Sequence, residues 1–182
     1  MRRRRVLKVA RNGAVSVLFD APEANVFALL ADPDGTLFIA TSPAGKVYRL
    51  RPGTEASLEP FFDPGETYIW ALARGADGAL WVATGTEGHL YRVDAAGKGE
   101  MVYDGEDPHL RSLRAERGGG LLIGTAGQGL LLRRSPDGGV HRGPGRGARG
   151  GGAMTLLAAL RSAGAIDALD QRFAEAVCRL AG

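Results

Sequence analysis

The chain has 182 residues, 45% of them hydrophobic and 24% charged, enough for one domain with a sizeable core and too few for two ordinary ones; the composition is neither disordered nor collagen-like, although 28 glycines mark it as turn-rich. The net charge of +3 conceals a division, because residues 1–11 carry +6, residues 12–132 carry −7, residues 133–149 carry +4 and the remainder is neutral, so an acidic body stands between basic ends. A lone cysteine, Cys178, excludes an intramolecular disulfide framework and a Cys-x-x-Cys zinc site, and no apolar run reaches membrane-span or signal-peptide length, so a cytoplasmic address without membrane contact is expected.

In chain order, a basic arm (residues 1–4) precedes a region of repeats (5–134). The first apolar runs end at Val17-Leu18-Phe19-Asp20. Residues 26–50, VFALLADPDGTLFIATSPAGKVYRL, then return 43 positions later as IWALARGADGALWVATGTEGHLYRV, with ten identities in 25 positions and six aliphatic or aromatic exchanges. A third copy follows at an offset of 41, where LLIGT at 121–125 stands for LWVAT at 80–84, and Gly129 and Arg133 stand for Gly88 and Arg92. Between copies lie further apolar segments ending in an acid, Phe61-Phe62-Asp63 and Met101-Val102-Tyr103-Asp104. Each unit thus holds four short strand-like runs punctuated by turn signals such as Asp34-Gly35 and Asp77-Gly78, where glycine accepts positive φ without steric cost. The runs LFIAT and LWVAT are apolar on both faces, as a sheet sandwiched between two neighbours requires.

Four antiparallel strands in 40 to 45 residues is the unit of a propeller blade. The segments ALADPDGTLFIAT, ALARGADGALWVAT and GHLYRVD resemble the repeats of bacterial regulator-type, NHL-like and tryptophan-aspartate-repeat-like β-propellers. The resemblance covers residues 5–134 and implies an all-β fold: an incomplete β-propeller of about three four-stranded antiparallel blades. Counted by strands, the chain begins with the outer half of a blade, continues through two complete blades and reaches three strands of another by residue 134. From Ser135 a Gly/Arg-rich linker (135–152) is expected in place of a fourth strand. A helical tail (153–182) follows, with Ile166, Leu169, Phe173, Val177 and Leu180 on one helix face. A ring of so few blades does not close on itself. The chain therefore reads as a truncated or frame-shifted part of a longer propeller, as a homo-oligomer completing a ring, or as a partial propeller capped by its tail.

In such a disc the outer-to-inner loops and the second-to-third-strand loops share one face. Asp20, Glu23, Asp63, Glu66, Asp104, Glu106 and Asp107 would gather there, with Glu87 beside His89. Turn-capping explains many of these acids. The candidate ligand or partner face comprises Glu66, Trp70, Glu87, His89, Asp107, His109 and Arg111, with Phe27 and Trp70 also serving blade packing. The expected function is a non-catalytic scaffold or ligand-sensing module for a protein or small-molecule partner, with no cofactor. The alternative is a lactonase-like propeller hydrolase or lyase using a divalent metal, for which His89, His109, Glu87 and Asp107 would be the ligands. No Gly-x-Ser-x-Gly nucleophile and no phosphate-binding Gly-Lys-Ser/Thr loop occurs. Nucleic-acid binding through the arginines at the two ends is disfavoured by the acidic body and the lack of interleaved aromatics.

Overall fold

A computed structural model of the chain describes residues 4–54 and 59–143. They form fourteen strands: β1 (Arg4–Val9), β2 (Val15–Ala21), β3 (Asn25–Ala31), β4 (Leu37–Ser42), β5 (Gly45–Leu50), β6 (Phe62–Glu66), β7 (Tyr68–Arg74), β8 (Leu80–Gly85), β9 (His89–Val93), β10 (Gly99–Asp104), β11 (His109–Ala115), β12 (Leu121–Ala126), β13 (Leu131–Arg134) and β14 (Val140–Arg142). The fold is an all-β incomplete propeller. An antiparallel pair, β1 and β2, precedes three four-stranded meanders, β3 to β6, β7 to β10 and β11 to β14. A single bridge between His109 and Gly85 joins the end of β8 in the second meander to the start of β11 in the third. Among the described residues no helix is long and apolar enough to cross a membrane.

The doubly apolar runs do what their pattern demands. In β4, Phe38 and Ala40 enter the core between the first and second meanders, while Ile39 points the other way, into a core shared with Val6, Phe19 and Tyr48 of the flanking strands. In β8, Leu80 and Val82 enter that first-to-second core, and Trp81 and Ala83 enter the next one with Leu110, Leu121 and Ile123. Because side chains alternate across a strand, one five-residue run supplies two cores. In β12 only Leu121 and Ile123 are buried, and the intervening Leu122 is half-buried. No further sheet covers that side among the described residues.

The Asp-Gly turns close as three-residue hairpin loops. Gly35 N–H donates to the Asp32 carbonyl at 2.9 Å and Asp32 N–H to the Thr36 carbonyl at 2.8 Å, with Gly35 at φ +85°, a conformation costly for any residue with a Cβ. The Asp34 carboxylate accepts the Thr36 N–H at 2.8 Å, and this bond holds its carboxyl below the usual range.

One expectation is corrected here. Residues 135–143 are not all linker: Ser135-Pro136-Asp137-Gly138-Gly139 makes the same turn, with Gly138 N–H bonded to the Ser135 carbonyl at 3.0 Å and Ser135 N–H to the Gly139 carbonyl at 2.7 Å. It returns the chain into β14, which pairs with β13 through Val140, His141 and Arg142. The third meander therefore has four strands, the last of them short. The expected helical tail, residues 144–152 of the linker and the first residues of the basic arm lie outside the described residues.

Candidate functional site

The innermost strand of each meander carries a bulge at the same place. The pairing register slips between Val26 and Ala28 in β3, between Ile69 and Ala71 in β7, and between Leu110 and Ser112 in β11. The extra residues are Phe27, Trp70 and Arg111, which are equivalent in the repeat. A bulge re-aims a side chain out of the ordinary alternation, and these three converge. The Phe27 and Trp70 rings lie 4.8 Å apart, Tyr68 stacks on Trp70 at 4.8 Å with 14° between planes, and the Arg111 guanidinium lies 3.8 Å above the Trp70 ring. Phe27 remains 45% exposed, so this platform faces outward.

His109 completes the cluster. Trp70 Nε1 donates to His109 Nδ1 at 3.3 Å, and the imidazole stands edge-on to the indole at 5.7 Å. An indole N–H is donor only, so Nδ1 must be the unprotonated nitrogen, and the neutral ring carries its proton on Nε2. Gly85 makes the approach possible: a Cβ at that position would overlap both His109 Nδ1 and Trp70 Nε1. The cluster thus combines an aromatic platform, a permanent cation and an imidazole fixed to donate from Nε2.

A second group lies between blades. His89 Nδ1 meets Glu66 Oε1 at 2.5 Å, His89 Nε2 is 3.4 Å from Asp104 Oδ1, and Tyr91 O–H donates to Glu66 Oε1 at 3.2 Å. One repeat earlier Tyr48 O–H donates to Glu23 at 2.7 Å, with Lys46 near Asp63 in the position of His89 and Asp104. One repeat later Asp107 stands for Glu66, and its carboxylate accepts the Thr125 hydroxyl and, at 2.9 Å, the Gln128 N–H. Each carboxylate stands at or just beyond the end of the outer strand of one blade and is held by the next blade. Burial, reinforced by the Glu66 charge and hydrogen bond, pushes the Tyr91 phenol up to about 12, and burial with Glu23 raises Tyr48 further.

Because the folded state favours neutral Tyr91, its contribution to stability is fully present below pH 10, the ordinary tyrosine value, and is lost as pH rises toward 12. Tyr91→Phe is therefore expected to flatten the fall in stability over that window. Chemical melts at stepped pH, with tyrosinate absorbance followed in parallel, check it; an unchanged slope would contradict the assignment.

Of the residues singled out from sequence, the structure joins Trp70, His109 and Arg111 in one cluster and Glu66 and His89 in another. Asp107 is buried, and its carboxylate is satisfied by Thr125 and Gln128 of the β12–β13 hairpin. Glu87 belongs to neither group; it accepts the Thr86 hydroxyl at 3.4 Å. His89, His109, Glu87 and Asp107 do not converge, and among the described residues no group of three or more His, Cys, Asp or Glu side chains could hold a metal ion. The described residues therefore do not fit the divalent metal of the lactonase-like alternative. Sequence reasoning missed Tyr68, two residues before Trp70 and so on the same strand face, and the pairing of Glu23 with Tyr48, whose signal is the recurrence of both at an offset of 43. At the basic ends, Arg5 bonds Asp20 at 2.9 Å and Arg142 bonds Glu106 at 2.5 Å.

No protein-family model matches the sequence, and neither does any curated protein sequence. Solved structures do resemble the fold. Virginiamycin B lyase from Staphylococcus aureus aligns with a TM-score of 0.67 at 15% identity, over 78% of this chain and 49% of that one. A streptogramin B lyase aligns with 0.65 at 19%, over 76% and 47%, and a gluconolactonase from Xanthomonas campestris with 0.58 at 16%, over 76% and 54%. The chain spans about half the length of these proteins. At such identities the likeness establishes the β-propeller fold. The expectation of a non-catalytic scaffold or sensor is corrected on this finding, because these structural neighbours are two lyases and a gluconolactonase.

Proposed function

We propose that the chain contributes to a β-propeller lyase or hydrolase acting on an ester or lactone, with the Trp70, His109 and Arg111 cluster as the place where the substrate carbonyl is held. The observation that carries this reading is the Trp70 to His109 hydrogen bond, which fixes a donor at Nε2 beside the Arg111 cation on one aromatic platform. Both reaction types place negative charge on a carbonyl oxygen: hydrolysis as water adds to the carbon, elimination as the α-proton leaves and its electron pair moves toward oxygen. Two donors aimed at that oxygen stabilise either transition state more than the ground state. Arg111 offers a forked, permanently charged donor and His109 a neutral one. Phe27, Tyr68 and Trp70 supply flat apolar area on which the body of the substrate stacks. The cluster is the electrophilic half of a site; the base that takes the α-proton or activates water is a separate group. A cytoplasmic setting goes with this reading.

The test is turnover by the full chain of a panel of aryl esters, five- and six-membered lactones and a cyclic depsipeptide. Cleavage of at least one class is expected, with no added metal required for substrate to quench Trp70 fluorescence. No cleavage and no quenching across the panel would reject the reading.

A further inference from the structure

One position of the repeat lacks the tyrosine that its equivalents carry. Phe19, Tyr48 and Glu23 form a set in the first interblade position: the two rings lie 5.1 Å apart and the phenol donates to the carboxylate. Phe62, Tyr91 and Glu66 repeat it, with rings 5.4 Å apart. In the third position the aromatic wall is Tyr103, the carboxylate is Asp107, and the residue in place of the phenol is Leu132. The structure has a cavity there of about 170 Å³. Leu110, Leu130, Leu132 and Val140 form its apolar lining, and Asp107 and Thr125 its polar end, with Tyr103 also on the wall. Leu130 stands where His89 and Lys46 stand in the other sets, so two polar side chains have given way to leucines.

We propose that this cavity is a binding site for a small phenol, which supplies in trans the ring and hydroxyl that Tyr48 and Tyr91 supply in cis. Volume permits it, since an apolar cavity of about 150 Å³ is enough to hold a benzene ring. Polarity selects it. Asp107 is only 3% exposed, and its two oxygens already accept the Thr125 hydroxyl and the Gln128 N–H. The remaining lone pairs suit a ligand with one proton to donate, and a phenolic O–H to a carboxylate is a short, charge-assisted bond. An ammonium group would bring three donors to a site where Asp107 already accepts two bonds and the neighbouring Glu106 is paired with Arg142. The Glu106 and Arg142 ion pair, at 2.5 Å, also borders the cavity and involves β14, the short strand that completes this blade.

The experiment uses the full chain and two probes, p-cresol and toluene, titrated by calorimetry and followed by NMR on methyl-labelled protein. Expected are millimolar or tighter binding of p-cresol, at least tenfold weaker binding of toluene, and ligand contacts to the methyls of Leu130 and Leu132. Leu132→Tyr should fill the cavity with its own phenol, abolish p-cresol binding and raise the melting temperature. Failure of p-cresol to bind, equal binding of toluene, or contacts at Phe27 and Trp70 instead of the leucines would each overturn the proposal. So would undiminished binding by a folded Leu132→Tyr variant. Should that variant fail to fold, the methyl contacts in the unaltered protein decide the matter alone. None of these outcomes depends on esterase or lyase activity.

Discussion

Trp81→Ala is expected to destabilise the protein by about 3–5 kcal/mol, the range for removing a large aromatic from a packed core. Trp81 is 4% exposed and packs with Ala83, Leu90, Leu110 and Leu121 between the second and third meanders. The Arg134 guanidinium lies 4.8 Å from its ring centre, and that contact adds a fraction of a kcal/mol. Against a total stability on the order of 5–15 kcal/mol for a domain, the loss amounts to a drop in melting temperature of roughly 10 °C at this chain length. Trp70→Ala is the control. Trp70 lies on the neighbouring strand β7 of the same blade but sits on a bulge, half-buried, with Phe27 exposed beside it. Its removal should cost about 1–2 kcal/mol. Urea melts of the two variants side by side check the contrast. Equal losses would mean that the aromatic platform is core, which would weaken its assignment as a site.

Arg111→Ala is expected to lower kcat/KM by about 10²–10³, the usual effect of removing one preorganised donor to a developing oxyanion, while leaving the melt unchanged because Arg111 is exposed. His109→Ala should produce a loss of the same order. Arg111→Lys should recover only part of it, since an ammonium keeps the charge and loses the fork. Trp70→Ala should act differently, raising KM more than it lowers kcat, because stacking is shared by ground and transition states. Steady-state kinetics on whichever ester or lactone is cleaved separate these cases. A fully active Arg111→Ala variant would remove the electrophilic role from this cluster.

The blade count was legible because hydrophobic alternation and Asp-Gly turns recur at fixed offsets, and both follow from backbone geometry. The run at 121–125 belongs to a third blade for the same reason that LFIAT and LWVAT belong to theirs. What failed was composition used as a guide to order. Ser135-Pro136-Asp137-Gly138 is the turn of Asp32-Pro33-Asp34-Gly35 in another place, but the glycines and arginines around it predict a linker, and only the pairing of β13 with β14 shows otherwise. The site was half legible. Trp70, His109 and Arg111 could be placed on one face by counting strands. Their contact could not, because Trp70 and His109 are 39 residues apart in different blades and meet over Gly85, a residue whose contribution is the absence of a side chain. The acids were visible, yet their partners were not: a carboxylate in sequence looks the same whether it caps a turn or reaches a neighbour's tyrosine.

Glu23, Glu66 and Asp107 each tie the end of one blade to the hairpin of the next, and none reaches further along the array. Among the described residues cooperativity is therefore handed from neighbour to neighbour, as in a row of coupled springs. Damage at Glu66 would uncouple what lies before it from what lies after it, yet leave each side internally sound. Among the described residues the second blade, clamped on both sides, would be the last to open.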